Sequence, residues 1–358
     1  MGTRKIKVGI VGIGRIGRGH IEELAGFADM YEVVAVADSA PDRLENLPAF
    51  ATKARKYPSL ETLLGDPDVE MVNVCVRHPD HVPMGLAILA AGKIAVVEKP
   101  VATSTAEMEL LRAASEKRPG HLFFRHNRRF EPAFRKVREL AFSGLIGEIQ
   151  YIKLNRSVGY CRRNDWMTMT EFYGGLLSNW GPHLIDQALR LLDSPVVDVW
   201  ADVRRVISIG DGDDLFKILL KAENGRLADI EVTGANTMPG RQIEIIGNRG
   251  TIVSETESSI TARYIDPSVE LRALRPHPEN PPLAYGNFEE KLFFVESKYQ
   301  VPDTRMADIW RHIHAAIADG VPFEVTFGQA FDVVKVTEEA FRRSGFKPIL
   351  NFKGKCNV

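Results

Sequence analysis

The chain lacks the features of several protein classes. Its 358 residues include only three cysteines, Cys75, Cys161 and Cys356, which lie too far apart for a disulfide framework or a cysteine metal site. Positive and negative side chains nearly balance, and the formal net charge of −1 at pH 7 gives no reason to expect binding to nucleic acid or to an anionic membrane. The histidine and carboxylate patterns of metal sites are missing too, so we expect no metal.

Long hydrophobic runs are also missing. The longest apolar stretch, residues 85–97, is broken by Gly92 and Lys93 and is too short to cross a bilayer. The first residues run directly into a strand-like segment, to which no secretory signal can be fitted. We therefore expect a soluble, cytoplasmic protein without a membrane or nucleic-acid partner.

Residues 1–123 alternate between strand-like and helix-like segments. Runs rich in valine and isoleucine, such as residues 5–12 and 31–38, are typical of strands buried on both faces. Their alternation with helical segments predicts a parallel sheet with right-handed crossovers, the doubly wound Rossmann arrangement. Since the length favours two domains, we predict that the first domain ends at residue 123.

Residues 124–358 follow a different pattern, in which strand-like segments succeed one another without intervening helices. This predicts an α+β domain built on an antiparallel sheet. Residues 266–302 are rich in proline and are predicted to form a long surface loop. Helices are predicted at residues 131–143, 182–192, 303–319 and 328–344.

A glycine-rich turn follows the first predicted strand. Gly12, Gly14 and Gly17 form a complete GxGxxG between a buried strand and a helix, the context that dinucleotide binding requires. Gly12 would permit the tight turn, Gly14 the approach of a pyrophosphate, and Gly17 close packing of helix on strand. The pyrophosphate would lie at the positive end of the helix. The alternative is a glycine turn that binds nothing.

An acidic residue, Asp38, ends the second predicted strand. Its carboxylate can accept hydrogen bonds from both hydroxyls of an adenosine ribose, and its charge would repel a 2′-phosphate, which favours NAD over NADP. Ser39 and Arg43 weaken this preference, because a hydroxyl and a guanidinium could hold that phosphate. We therefore predict NAD as the cofactor and leave NADP as a second choice.

The segment Glu98-Lys99-Pro100 follows the fourth predicted strand, at the edge where open α/β sheets bind their ligands. With the glycine turn and several later segments, it makes nearly the whole chain resemble the Gfo/Idh/MocA family (glucose-fructose oxidoreductase, inositol dehydrogenase and rhizopine-catabolism proteins) of NAD(P)-dependent sugar and polyol oxidoreductases. The segments that carry the resemblance are residues 87–111, 126–149, 173–192, 248–252 and 327–345.

This resemblance implies a cofactor domain followed by a domain on a large open antiparallel sheet, with a carbohydrate substrate bound between them. It also implies a homodimer or homotetramer formed through the exposed face of that sheet. Lys99 is then expected beside the reacting hydroxyl and the nicotinamide. The expected cofactor-binding residues are Gly12, Gly14, Arg15, Ile16, Gly17, Asp38, Ser39, Arg43, Val76, Arg77, His78, His81, Glu98 and Lys99.

In its second domain the family has an aspartate, three residues and then a histidine, and His183 falls on the histidine position. The start of a helix disfavours imidazolium, so we expect a lowered His183 pKa and a neutral base; the alternative is that His183 merely caps the helix. Asn179 replaces the aspartate and cannot stabilise the charged ring. Lys99 or Asp186 is therefore expected to take over part of that role. The predicted catalytic set is Lys99, His183, Asn179 and Asp186.

Polar and aromatic residues near the two predicted domains' junction are candidates for the substrate cleft. The expected substrate residues are Asn127, Arg129, Tyr160, Arg163 and Trp166. An aromatic face and arginines suit a polyol or an acidic sugar, and a solvated loop is the alternative. The rest of the basic run at residues 125–140 is interpreted as a solvated helix face. Near the third strand, Arg77 and His78 are expected to act through their backbone, and His81 to cap the next helix.

These features predict an NAD(P)-dependent oxidoreductase that transfers a hydride between nicotinamide and a carbohydrate hydroxyl or carbonyl. An NAD-dependent glycosidase, which would oxidise, eliminate and re-reduce its substrate, is a second hypothesis. A non-catalytic sensor of NAD or sugar is a third, motivated by Asn179.

Overall fold

The structure, a computed structural model, describes residues 4–159, 162–271, 273 and 292–347. A six-stranded parallel sheet is followed along the chain by an eight-stranded, mostly antiparallel sheet, which confirms the predicted fold class. Among the helices in these residues, none is both long enough and apolar enough to span a bilayer.

The first sheet has the strand order β3-β2-β1-β4-β5-β6, and its neighbouring strands run parallel. Its strands are β1 (Ile6–Val11), β2 (Tyr31–Ala37), β3 (Arg55–Tyr57), β4 (Met71–Val74), β5 (Ile94–Glu98) and β6 (Leu122–Arg125). The connecting helices are α1 (Arg15–Ala25), α2 (Leu60–Leu64), α3 (His81–Ala90) and α4 (Thr105–Glu116). The order reverses between β1 and β4, so the turns after these strands open the crevice in which such sheets bind ligands.

The second sheet has the strand order β14-β13-β12-β11-β7-β10-β9-β8, and β10 and β7 form its parallel pair. Its strands are β7 (Ile149–Ser157), β8 (Val196–Arg204), β9 (Leu215–Ala222), β10 (Leu227–Thr233), β11 (Ile243–Gly247), β12 (Gly250–Thr256), β13 (Ser259–Ile265) and β14 (Phe294–Tyr299). Helices α5 (Pro132–Phe142), α6 (Leu176–Asn179) and α7 (Gly181–Leu192) pack on one face. The opposite face carries the outward side chains of the alternating strands.

The prediction of a continuous loop over residues 266–302 is wrong at β14. Its sequence, FVESKY, alternates between partly buried and exposed positions, and the strand pairs antiparallel with β13. The nearby prolines dominate the composition of the segment and conceal this short alternating run. Residues 272 and 274–291 lie outside the described residues.

Helices α8 (Ile309–Ala318) and α9 (Phe327–Ser344) return to the core around the first sheet, and α9 also packs on β8. Trp310 is fully buried in the first core, and its carbonyl accepts a hydrogen bond of 2.6 Å from the Tyr31 hydroxyl. Helix α9 contributes Ala330 and Val334 to the first core and other residues to the second. A division into domains at residue 123 therefore remains a proposal, since later segments complete the first core.

Candidate active site

Two of the three motif glycines are required by the fold itself. Gly12 has a φ of +88°, and a Cβ atom there would collide with the Cys75 carbonyl; a Cβ atom on Gly17 would collide with the Gly12 carbonyl. Gly14 differs, because its backbone is ordinary extended chain and a Cβ atom would meet nothing within 4 Å. The protein alone therefore does not need glycine at Gly14, whereas a ligand that approaches the backbone would.

The N-terminus of α1 is open to an anion. The helix begins at Arg15 without a side-chain cap and without an acidic residue in its first turn, which leaves N–H groups unpaired. Arg15 and Ile16 are both exposed there. This arrangement fits the pyrophosphate of a dinucleotide.

Asp38 lies buried at the end of β2 and is tied to the glycine turn. Its Oδ2 accepts the Ile13 N–H at 2.7 Å, and its Oδ1 accepts the Ala40 N–H at 2.9 Å. Arg43 Nη1 lies 3.6 Å from Oδ2, and Ser39 is exposed beside it. The Asp38 carboxylate suits a ribose with free hydroxyls. The Arg43 guanidinium is close enough to reduce the repulsion between this carboxylate and a 2′-phosphate.

Lys99 follows β5 and reaches the part of the molecule that contains the second sheet (the second half; the part with the first sheet is the first half). Its Nζ donates to Asn179 Oδ1 at 2.8 Å and to the Asn179 carbonyl at 3.1 Å. Burial lowers the pKa of Lys99 to about 8; Glu98 opposes this change, and the charges of Arg128 and Arg163 add to it. A substantial neutral fraction of this amine therefore exists near physiological pH.

Helix α6 places Asn179 opposite Lys99. The helix begins after Gly175, whose φ of +125° suits glycine, and the Leu177 N–H donates to Asp213 Oδ2 at 2.8 Å. Asp213 comes from the turn between β8 and β9, which the sequence analysis did not select. Its burial raises the pKa of Asp213 to about 7.

His183 lies in the first turn of α7, where Pro182 suits the helix start. Burial lowers the pKa of His183 well below its usual value, and the charges of Lys99 and Arg128 reinforce this. Its Nδ1 has no hydrogen-bond partner among the residues the structure describes, and its ring contacts Trp180 edge to face. The imidazole is therefore neutral, within electrostatic range of Lys99.

Asp186 cannot supply the charge that Asn179 lacks. Its carboxylate forms a buried ion pair with Arg129, through Nε at 3.0 Å and through a second guanidinium nitrogen. Arg129 also donates to the Glu324 carbonyl at 2.7 Å and to Gln329 Oε1 at 2.6 Å. Because the guanidinium is engaged inside the protein, the structure argues against both the expected role of Asp186 and the expected substrate contact of Arg129.

The other expected substrate residues lie in different surroundings. Arg163 lines a cavity of about 80 Å³ together with Asn179, Trp180 and Asp213, and it is paired with Asp165 at 2.6 Å. Asn127 has a buried Oδ1 with no partner among the described residues. Trp166 contacts the His78 ring instead, with ring centroids 5.0 Å apart, while Tyr160 lies outside the described residues.

Arg77 and His78, whose backbone is expected to matter more than their side chains, also make side-chain contacts to the segment before α6. His78 Nδ1 donates to the Tyr173 carbonyl at 2.9 Å, and the Arg77 guanidinium lies 4.1 Å from the centre of the Phe172 ring. The expected cap by His81 is wrong, because its Nδ1 is 2.7 Å from the Pro100 carbonyl. Its Nε2 lies 3.2 Å from the carbonyl of Val76, so both ring nitrogens face backbone oxygens.

Sequence reasoning missed the buried part of the basic run. Arg125 is almost fully buried in ion pairs, so the interpretation of a solvated face is wrong there, and Arg129, a predicted substrate residue, is buried in its pair with Asp186. His126 is buried too, with no partner for either ring nitrogen among the described residues, and burial lowers the pKa of His126 to about 4. Arg125 ends β6 and His126 follows it, at the ligand-binding edge of the sheet, and this place is the signal that could have revealed them.

These observations fit a dinucleotide whose nicotinamide lies near Lys99. The open position at Gly14 and the unpaired helix start suit the pyrophosphate, and the unpartnered atoms of Asn127, His126 and His183 lie on the residues around the cleft. In the part of the chain that the structure describes, no cluster of three or more histidine, cysteine, aspartate or glutamate residues could hold a metal ion.

Comparisons with known families and proteins agree with this geometry. Residues 6–126 match the profile described as an oxidoreductase family with an NAD-binding Rossmann fold, and residues 134–253 match the GFO/IDH/MocA C-terminal domain. The chain is 31% identical over 266 residues to an inositol 2-dehydrogenase of Acidothermus cellulolyticus, covering 73% of this chain and 76% of the relative. It is 27% identical to the scyllo-inositol 2-dehydrogenase (NADP(+)) IolW of Bacillus subtilis, covering 96% of each.

Solved structures share the fold. An NAD-binding protein from Listeria innocua superposes with a TM-score of 0.79 at 24% identity, covering 96% of this chain and 95% of that one. GenD2 from gentamicin A biosynthesis, in complex with NAD, gives a TM-score of 0.74 at 23% identity with the same coverage.

Proposed function

Because the chain belongs to the Gfo/Idh/MocA family of oxidoreductases and has its NAD-binding Rossmann domain, we propose that it oxidises or reduces a cyclitol, sugar or related polyol. The reaction is a hydride transfer between a CH–OH carbon and nicotinamide. The observation that carries this proposal is the contact between Lys99 and Asn179, which brings a partly neutral amine to the face of the second half of the molecule.

The chain's own residues supply the proton handling. Bound NAD would accept the hydride, and the neutral form of Lys99 would take the hydroxyl proton as the carbon is oxidised. Asn179 orients the amine without adding a negative charge that would hold it protonated. His183, kept neutral by burial, is the second proton carrier and a hydrogen-bond partner for a neighbouring hydroxyl.

The substrate class is proposed from the relatives and from the cleft. Both relatives described above are named inositol dehydrogenases. The cavity beside Asn179 is lined by the polar side chains of Arg163 and Asp213 and by apolar ones such as Leu176 and Trp180, so it offers both hydrogen bonds and apolar contact to a polyhydroxylated ring. NAD is the proposed cofactor in turnover, and Arg43 near Asp38 keeps NADP as the second choice.

The test is a panel of inositols, sugars and sugar acids with NAD and with NADP, followed by the absorbance of reduced nicotinamide. We expect turnover with some member, and we expect Lys99→Met to lower kcat by roughly 10²–10⁴-fold, the range of general acid–base catalysis. Lys93→Met is the matched control, because Lys93 donates to the Asp66 and Val69 carbonyls within the first half. Absence of turnover across the panel with both cofactors would count against the proposal, as would full activity of Lys99→Met.

A further inference from the structure

A buried charged network lies directly behind Lys99. Glu98 Oε1 accepts hydrogen bonds from Arg125 Nη1 at 2.8 Å and interacts with His20 Nε2 at 3.2 Å, and Glu98 Oε2 accepts the Lys99 N–H at 3.0 Å. Glu98, Arg125 and His20 are each more than nine-tenths buried. Both carboxylate oxygens of the residue before Lys99 are therefore already bound.

The network extends to two further elements. Another guanidinium nitrogen of Arg125 pairs with Glu23 on α1, whose Oε2 also accepts the Trp310 Nε1–H at 2.8 Å. The Arg125 guanidinium lies 5.1 Å from the Trp310 ring centre on α8. Arg125 is thus fixed between α1, β5 and α8, and Glu98 is fixed with it.

Stability is a weak reason to keep such a network. The cost of desolvating buried charges often equals or exceeds their attraction, and apolar side chains of similar volume frequently replace buried ion pairs without loss. The position of this network, one residue before Lys99, points to a role in the cleft instead.

We propose that Arg125 is a positioning residue for Lys99, because it holds the Glu98 carboxylate toward α1 and leaves the Lys99 ammonium to Asn179 and the cleft. Without Arg125, the Glu98 carboxylate would lose the guanidinium bound at Oε1, and its negative charge would act more strongly on the neighbouring ammonium. That Arg125 matters for hydride transfer rests on the proposed function. The contacts among Glu98, Arg125 and Lys99 do not depend on that function.

Glu98 and Arg125 change the pKa of Lys99 in opposite directions, and both changes can be measured. Glu98 favours the protonated amine and raises the Lys99 pKa, while Arg125 disfavours it and lowers that pKa. Titratable or charged groups facing Lys99 come from every element around it: Glu98, Arg125, Arg128, Arg163, His78, His81 and His183.

The experiment measures the titration of Lys99 directly. Competitive labelling with acetic anhydride over a pH series, followed by peptide mass spectrometry, reports the neutral fraction of the amine of this half-buried lysine. We expect the Lys99 titration to move up by roughly one pH unit in Arg125→Met and down in Glu98→Gln. It should return close to the original in Arg125→Met/Glu98→Gln and in the conservative Arg125→Lys.

Thermal unfolding and NAD binding verify that each variant is folded, and Arg55→Met is the matched control. Arg55 also pairs with a buried carboxylate of the first half, Asp66, so its loss should leave the Lys99 titration unchanged. If Arg125→Met does not fold, Arg125→Gln replaces it, since it keeps a polar side chain and the Glu98 carboxylate but removes the positive charge, and it should move the Lys99 titration up in the same way. An unchanged titration in every variant, or shifts of one sign only, would overturn the proposal.

Labelling also separates this inference from the proposed function. Titration shifts of the expected signs in a protein that turns over no member of the panel would support the role of Arg125 and reject the dehydrogenase. Turnover by a protein whose Lys99 titration is the same in the Arg125 and Glu98 variants would support the dehydrogenase and reject the role of Arg125.

Discussion

The amide at position 179 is the residue that most directly sets the chemistry of the cleft. Asn179 Oδ1 accepts a hydrogen bond from the Lys99 ammonium but adds no negative charge to attract it. The amine therefore keeps the pKa of about 8 that burial gives Lys99. The resemblance to the family leads one to expect an aspartate here, and the amide leaves the lysine easier to deprotonate.

This leads to a prediction about Asn179→Asp. A carboxylate at this distance favours the ammonium, so the Lys99 pKa should rise by roughly 1–3 units. Oxidation needs the neutral amine, so its kcat/KM should rise through a pH of about 8 in the original protein and at a higher pH in the variant. The pH dependence of kcat/KM for substrate oxidation measures this directly.

Asn179→Ala provides the comparison, because it removes the hydrogen bond without adding a charge. Its profile should stay near the original pH even if its rate falls. A profile for Asn179→Asp that moves to lower pH, or stays in place, would show that Lys99 is not the group being titrated.

Among the elements, the turn that leads into α1 separates two uses of glycine. Gly17 is required because a side chain would collide with the Gly12 carbonyl, whereas Gly14 faces open space in an ordinary backbone conformation. One glycine therefore serves packing, and the other leaves room for a ligand.

We predict that Gly14→Val unfolds at nearly the original temperature but binds NAD at least roughly tenfold more weakly, a loss of about 1.4 kcal/mol. Gly17→Ala should instead lower the unfolding temperature, because helix and turn must move apart. Calorimetric unfolding of each variant measures its stability, and titration with NAD measures its affinity for the cofactor. Equal loss of stability in the two variants would contradict this division.

Some of these secondary-structure elements can be predicted from the sequence and others cannot. The buried strands, α1 and the glycine turn have a local hydrophobic period and are bounded by turn residues, so the sequence predicts them. β3 and β14 are short strands with charged side chains, and only pairing with a neighbour makes them strands. Local patterns cannot predict such pairing.

The cleft was only partly predictable for a similar reason. Lys99 and His183 belong to recognisable motifs, but the contacts of Arg125 depend on α1, β5 and α8 meeting in space. A buried arginine and a solvated one look alike in a basic helical run. Only the burial seen in the fold distinguishes Arg125 and Arg129 from Arg138, the exposed arginine of the same run.

At the scale of the whole molecule, and among the residues that the structure describes, the second sheet presents exposed apolar side chains on the face opposite α5, α6 and α7. Trp200 and Leu219 are cross-strand neighbours on β8 and β9, and both are about half exposed, as is Tyr151 on β7. Large apolar side chains on a broad sheet face mark an interaction surface. A second copy of the chain is the proposed occupant, which would give a homodimer or homotetramer.

Trp200→Glu should therefore lower the oligomeric state, because it would bury two unpaired charges at a symmetric contact. Sedimentation velocity measures this, and Met238→Glu serves as control, since Met238 is an exposed apolar residue in the loop between β10 and β11. The prediction would be contradicted if the wild-type protein sediments as a monomer, or if the Trp200→Glu variant keeps the oligomeric state of the wild-type protein.

The return of α8 and α9 to the first sheet has a consequence for synthesis of the chain. Trp310 and Val334 fill space in a core whose first strand begins at Ile6. On the ribosome, the first sheet would emerge with this space unfilled and would close only when α8 and α9 arrive. We therefore expect the nascent sheet to stay open, and accessible to chaperones, until α8 and α9 have been synthesised.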